Sequence, residues 1–318
     1  MLGLSAAFAG IASWTFSWAV SWAWAFFTIG ASAAQTARNA MQRDLTATLG
    51  TAGATYVRFL FSLPFILALF LFETVILGMK PPAMSTPSLA WLLGGALAQM
   101  LATGLMLAGM TMRSFVVVTA YTKTEPIILA IFGAVFLGDH LSPAAIAAVL
   151  IATAGVMLMS WPKRAAGAKA DPKEWQSAAL GLTGGAFFAL SATCYRGGLI
   201  GLEGSSVVII ATTALLAAQL MQCALIVVYL ALFDRALLKA IAVNWRKSLF
   251  AGAMGALASQ LWLMAFTLTS AAAVRTLALV EVLMAQVVTR RLFRQGTSGR
   301  EYIGMALIVS GIVLLLHG

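Results

Sequence analysis

Apolar runs of about twenty residues, separated by short polar breaks, fill this chain almost from end to end. Each run is long enough to cross a bilayer core as a helix. The pattern predicts spans near residues 20–42, 52–77, 89–111, 114–137 and 142–161, then 176–199, 205–232, 247–267, 271–293 and 300–317. The polar stretch PKRAAGAKADPKEW, residues 162–175, separates five spans from five. Residues 1–19 are apolar and Trp-rich: they lengthen the first helix, lie at the interface, or precede the true start. The first Lys or Arg is Arg38, so no basic signal-peptide start is expected.

The two sets of spans repeat weakly but in register. An offset of 156 residues lays 97–111 on 253–267 and pairs Ser114 with Ser270, Glu125 with Glu281 and Gly155 with Gly311. An offset of 158 pairs Arg38 with Arg196 in the first span of each set. Five spans per repeat is an odd number, so the second repeat enters the membrane upside down. The expected fold is an all-α membrane protein of ten transmembrane helices in two inverted five-helix repeats. Its parts are an extension (1–19), a first repeat (20–161), a basic linker (162–175) and a second repeat (176–318).

Charge agrees with that topology. Fourteen Lys and Arg fall on one side: Arg43, Arg113, four in the linker, four at the 7–8 junction and four at the 9–10 junction. The other side holds Lys80, with Asp139 and Glu203 nearby. By the positive-inside rule the linker is cytoplasmic and both termini lie outside. The chain is 318 residues, 61% hydrophobic and 9% charged, with a mean hydropathy of +0.95. No soluble domain hides that much apolar surface. The twenty Lys and Arg against ten Asp and Glu then reflect topology, and no nucleic-acid partner is expected. Cys194, Cys223, His140 and His317 form no ligand cluster, so neither metal nor cofactor is expected.

Five cations remain inside spans: Arg38, Arg58, Lys123, Arg196 and Arg275. Against them stand Glu125 and Glu281, read as the only acids deep in the bilayer. A charge at mid-helix costs about 2.5–3.5 kcal/mol on the lenient insertion scale, so these residues should face a cavity or a partner. Pro126 removes the amide that would bond the Thr122 carbonyl and predicts a kink in the fourth span. Lys123 and Glu125, two apart on a helix, point to different sides unless Pro126 distorts the turn. Glu125 and Tyr121 are expected to face a central cavity, with Lys123 at its edge or on a neighbouring helix. If Glu125 and Glu281 approach each other, the pair is a candidate proton carrier; otherwise each is neutralised by its own cation. The surplus of cations suggests a ligand with an anionic group, held by the forked donors of Arg38 and Arg196. Both also lie near span ends, where long side chains reach for the interface. Gln99, Gln260 and Gln35 are candidates for further hydrogen bonds, Gln219 less so. Gly181 with Gly185, and Gly197 with Gly201, are GxxxG pairs suited to close helix packing.

The pattern TEPIILAIFGAVFLGDHLSPAAIAAVLIATAGVMLM, its echo GREYIGMALIVSGIVLLL at 299–316, and YVRF at 56–59 resemble the EamA family of the drug/metabolite transporter superfamily. The resemblance covers nearly all of the chain beyond residue 20. It implies a ten-helix inverted-repeat carrier, a secondary transporter of the cell inner membrane whose substrate the motifs do not specify. The superfamily includes exporters of amino acids and other metabolites and carriers of sugar phosphates. One departure is that residues 274–293 have no proline where the repeat partner has Pro126, so nothing in the sequence calls for a second helix break.

No phosphate-binding GxxxxGK[ST] loop, HExxH or His-based triad is present, so neither ATP hydrolysis nor an intramembrane enzyme is expected. The leading expectation is an alternating-access exporter of carboxylate-bearing metabolites such as amino acids, with proton coupling through Glu125 and Glu281. Efflux of lipophilic cationic drugs, with those glutamates as counter-charges, is the alternative within carriers. A non-transporting scaffold or sensor, and a channel, are the alternatives outside them. The partners expected are a small-molecule substrate and the lipid bilayer, with a homodimer left open.

Overall fold

The computed structural model describes residues 2–112, 118, 121–160, 172–204, 206–284 and 299–317, with side chains from Trp22 on except at 160 and 172–174. It is all-helical, with no strand among the described residues. In chain order the helices are α1 (Leu2–Leu71), α2 (Thr86–Met112), α3 (Glu125–Phe132), α4 (Pro143–Ser160), α5 (Pro172–Leu199), α6 (Val207–Phe233), α7 (Arg235–Val243), α8 (Trp245–Leu268), α9 (Ala271–Leu277) and α10 (Gly299–His317). Wide π-turns follow α1 at Phe72–Ile76 and α3 at Gly133–Leu137. Among the described residues, six helical stretches are long and apolar enough to cross a membrane: Trp22–Ile76, Thr86–Met112, Trp175–Leu199, Val207–Phe233, Trp245–Leu268 and Gly299–His317. Glu125–Leu137 and Pro143–Met159 are apolar but shorter. Large apolar side chains such as Phe72, Leu101, Val135, Val228 and Val313 stand exposed on the outside, where a bilayer would cover them.

The first two expected spans are the two arms of α1, and residues 2–19 extend its first arm. The arms meet at Gly50 (φ 68°, ψ 178°), a conformation closed to side chains with a Cβ. Gln42 Nε2 donates to the Ala54 carbonyl at 2.9 Å. Twelve residues of straight helix would separate those groups by about 18 Å, so the chain folds back on itself at Gly50.

Both arms of α1 pack on α8, α2 packs on α5, and α4 on α10. Small residues bring these backbones together, as expected where lipid supplies no hydrophobic drive. A Cβ on Gly155 would stand 2.7 Å from the Gly304 carbonyl, and one on Gly311 2.7 Å from the Ala152 side chain. Gly201 does not extend the Gly197 packing pair: at φ 81° it turns the chain after α5 with open space around it. The amphipathic α7 lies in the basic junction after α6 and carries Arg235 and Lys239. Most basic residues of the linker and of the last inter-helix junction lie outside the described residues.

The fourth and ninth expected spans are not continuous helices. The first is interrupted at Lys123–Thr124 and the second at Ala278–Leu279. Offset by 156 residues, the two interruptions fall within one residue of each other.

Candidate functional site

At both interruptions the backbone tightens from four-residue to three-residue hydrogen bonding. Thr124 N bonds Tyr121 O at 3.3 Å and Ile127 N bonds Thr124 O at 3.2 Å. Pro126 cannot donate to Thr122, so the α-helical ladder has no rung there. In the partner helix, Leu279 N bonds Thr276 O at 3.1 Å, Glu281 N bonds Ala278 O at 3.1 Å, and Val282 N bonds Leu279 O at 3.0 Å. This second break forms without a proline. A three-residue turn advances each residue by about 120° rather than 100°, and the altered turn brings Lys123 and Glu125 to the same cavity. This is the distortion at Pro126 under which the two were not expected to point to different sides.

Glycines in α5 let the broken segment approach. A Cβ on Gly181 would lie 2.6 Å from Tyr121 Cβ, and one on Gly185 3.0 Å from the Thr122 carbonyl. Tyr121 is therefore packed on α5 and does not line the cavity, contrary to the pairing with Glu125 expected above.

The cavity is lined by Gln35, Arg38 and Asn39 of α1, Met106 of α2, Thr122, Lys123, Glu125, Phe188 of α5, Arg275 of α9, and Glu281. Its volume, taken at the centres of water-sized spheres, is about 20 Å³, enough for a water and too little for a metabolite. Two ion pairs cross it. Lys123 Nζ pairs with Glu281 Oε1. Arg275 Nε lies 3.0 Å from Glu125 Oε1, an ionic contact in which the N–H is not aimed along a hydrogen bond. The Arg275 guanidinium also stacks on Trp262, 4.1 Å from the ring centroid, with Phe266 at 5.6 Å. Trp262 is fixed in turn by donating Nε1–H to Gln35 Oε1 at 3.1 Å. Each glutamate is thus paired with a cation from the other break, within one cavity that both carboxylates line.

Arg38 has no such partner among the described residues. It is 1% exposed, and its Nε and Nη2 donate to the neighbouring Asn39 Oδ1 at 3.2 and 2.7 Å. Its Nη1 is buried without any hydrogen-bond partner. Arg58, also buried, donates to Thr103 Oγ1 at 2.9 Å and likewise meets no carboxylate among the described residues. The lining therefore presents three cations to two anions, with one guanidinium left over.

The other expected residues fall elsewhere. Arg196 is paired in full outside the cavity: it meets Asp139 Oδ1 and Oδ2 at 3.2 and 3.3 Å, and the carbonyls of Phe266 and Thr269 at 2.8 and 2.6 Å. It ties the end of α5 to the end of α8 and to the turn after α3. Gln99 accepts from Tyr195 and Gln222 between α2, α5 and α6. Gln219 donates to the Phe59 carbonyl, and Gln260 to Thr212 Oγ1 and Val208 O. Asn39, Phe188, Met106 and Trp262 were not singled out from the sequence; only the adjacency of Asn39 to Arg38 could have suggested one of them. Glu73, inside the second expected span, is a third buried acid that the sequence reading passed over.

No protein-family model matches this chain, and no curated protein does. Twenty-seven solved chains resemble it in structure. One of them, described only as the crystal structure of a protein, superposes with a TM-score of 0.63 at 15% sequence identity, over 93% of this chain and 95% of that one. A likeness at that identity establishes a shared fold and nothing about chemistry.

Proposed function

We propose that this protein is a secondary transporter of the EamA kind that moves small carboxylate-bearing metabolites, such as amino acids, outward by alternating access. In this reading it has ten spans in two inverted repeats and sits in a bacterial inner membrane, with the linker cytoplasmic and both termini outside. It is a carrier and not an enzyme.

The observation that carries the proposal is Arg38. A buried guanidinium with an orphan N–H is costly unless an anion joins it, and a substrate carboxylate would supply the missing acceptor. The packing supports the inverted repeat. A two-fold relating the proposed repeats and exchanging α2 with α8 would also exchange the first arm of α1 with α5. It would thereby exchange two of the extensive helix packings, α1 on α8 and α2 on α5. It would also exchange the two helix breaks. Discontinuous membrane helices that meet at a polar site are a recurrent way of building a binding site between inverted repeats. The cavity's small volume fits an unloaded, closed arrangement that must open to admit a ligand. Efflux of lipophilic cations has less support, because both cavity glutamates already hold cations.

The test is a thermal-unfolding shift on detergent-purified protein against amino acids, organic anions, sugar phosphates and hydrophobic cations. A ligand at a hundred times its dissociation constant stabilises by about 2.7 kcal/mol. Shifts from carboxylated ligands that vanish in Arg38→Ala support the proposal. Shifts from hydrophobic cations that vanish in Glu125→Gln or Glu281→Gln replace it with drug efflux.

A further inference from the structure

The cavity leaves one buried acid unused. Glu73 follows the end of α1, inside the π-turn Phe72–Ile76, where Leu77 N reaches back to Phe72 O at 3.1 Å and Met79 N to Glu73 O at 3.0 Å. Wide single turns of this kind often mark functional positions in helices. Here Phe72, Val75 and Ile76 stand outward and exposed, while Glu73 points inward at 2% exposure. It faces α6, where Thr212 Oγ1 lies 2.9 Å from Glu73 Oε1. Gln260 of α8 completes the cluster, donating Nε2–H to Thr212 Oγ1 at 2.8 Å and to Val208 O at 3.3 Å.

This cluster is short of hydrogen. The Thr212 hydroxyl has one proton and two acceptors in reach, Glu73 Oε1 and Val208 O, each at 2.9 Å. Glu73 Oε2 and Gln260 Oε1 are both buried with no partner. No Lys, Arg or His pairs with Glu73 among the described residues. The titratable groups of α6, Cys223 and Tyr229, lie about 16 Å or more along the helix from Thr212. The charges of α8, Arg246 and Lys247, lie about 20 Å along it from Gln260. On the preceding arm of α1, Arg58 is about 22 Å away by the same rise. Lys80 and Glu203, on the flanking loops, are exposed. A carboxylate so placed has neither a counter-ion nor enough donors. One proton supplies both the neutralisation and the missing donor. A metal ion suits the cluster less well, since no group of three His, Cys, Asp or Glu is found among the described residues.

We propose that Glu73 is a proton-binding carboxyl and that it, rather than the cavity pair Glu125 and Glu281, carries the coupling proton. The coupling role rests on the carrier reading above; the proton site does not. In the step, a proton from water bonds to Glu73 Oε2, giving the neutral acid while the end of α1 is closed on α6. When that contact opens, the O–H bond breaks and the proton returns to water. No other bond changes, and no oxidant or metal takes part. Gln260 stands two residues from Trp262, so one helix, α8, touches both the Glu73 cluster and the aromatic plate behind Arg275.

The experiment is infrared difference spectroscopy on the full-length protein in lipid vesicles, titrated with pH. A protonated-carboxyl band should appear, be absent from Glu73→Gln, and persist in Glu125→Gln. In Thr212→Val, which loses one hydrogen bond but keeps the acid, the band should remain and titrate at a different pH. A band that survives in Glu73→Gln, or no band at all, overturns the proposal. The same vesicles are then given a radiolabelled amino-acid mixture. Accumulation driven by a pH gradient should be lost in Glu73→Gln while exchange at equal pH persists, which also shows that the variant is folded. Accumulation that follows a sodium gradient at constant pH overturns the proton role. If even the wild type moves none of the mixture, the carrier reading fails for these ligands, and the infrared band still decides Glu73.

Discussion

Lys123, at the interruption of one helix, is ion-paired with Glu281, at the interruption of another from the opposite half of the chain. Arg275 and Glu125 make the reciprocal contact. Neither interrupted helix satisfies its own carboxylate, so the halves are joined electrostatically at the level where each helix is weakest.

Breaking one of these pairs should be expensive. Lys123 and Glu281 are both buried, and removing one member of a buried pair costs about 3–5 kcal/mol because the other charge is stranded. Lys123→Ala should therefore melt well below wild type in detergent. Adding Glu281→Gln should restore part of the loss, and that non-additivity in a double-mutant cycle is the signature of direct pairing.

Arg38 should behave in the opposite way. Its guanidinium has an orphan donor, and a buried unsatisfied donor costs about 1–3 kcal/mol. Arg38→Met, which keeps the bulk and removes the donors, should raise the melting temperature of the ligand-free protein while abolishing stabilisation by carboxylated ligands. A variant that is less stable and still responds to ligand would remove Arg38 from the binding role.

Arg196 provides the contrast. Its hydrogen bonds to Asp139 and to two carbonyls are all made within the protein. Arg196→Ala should lower stability by about 1.5–3 kcal/mol, the range for hydrogen bonds to a charged group, yet leave the ligand-induced shift intact.

Gly50 tests the hairpin. A residue with a Cβ forced into its backbone conformation carries about 1–3 kcal/mol of strain. Nothing lies within 4 Å of where that Cβ would be, so the cost of Gly50→Ala should be conformational alone. Thermal melts of Gly50→Ala and Gly104→Ala separate the two effects: the latter position has equal space but ordinary helical geometry, and should lose nothing.

The helical class, the apolar runs and most of the cavity's charges were legible in the sequence because intramembrane charge is rare and has to face inward. Pro126 announced one break, since a missing amide is visible in the residue itself. The second break was not legible: its turn at Ala278–Leu279 carries no proline or glycine, and only the tertiary pairing of Arg275 and Glu281 with the other half accompanies it. The Arg38–Arg196 correspondence misled for a related reason. An offset aligns backbones, while the partners that decide a side chain's role, Asn39 in one case and Asp139 in the other, are set by what packs nearby. Glu73 was overlooked because it sits near the end of a span, where a long acid ordinarily reaches water; the π-turn directs it inward instead.

The two crossing ion pairs are not equivalent. The cation precedes its neighbouring glutamate by two residues at one break (Lys123, Glu125) and by six at the other (Arg275, Glu281). One cation is an ammonium and the other a guanidinium stacked on Trp262. The cavity between them therefore has distinct ends. In the carrier reading, a small molecule admitted once the chamber opens would meet a different surface when turned end for end, which favours a single pose.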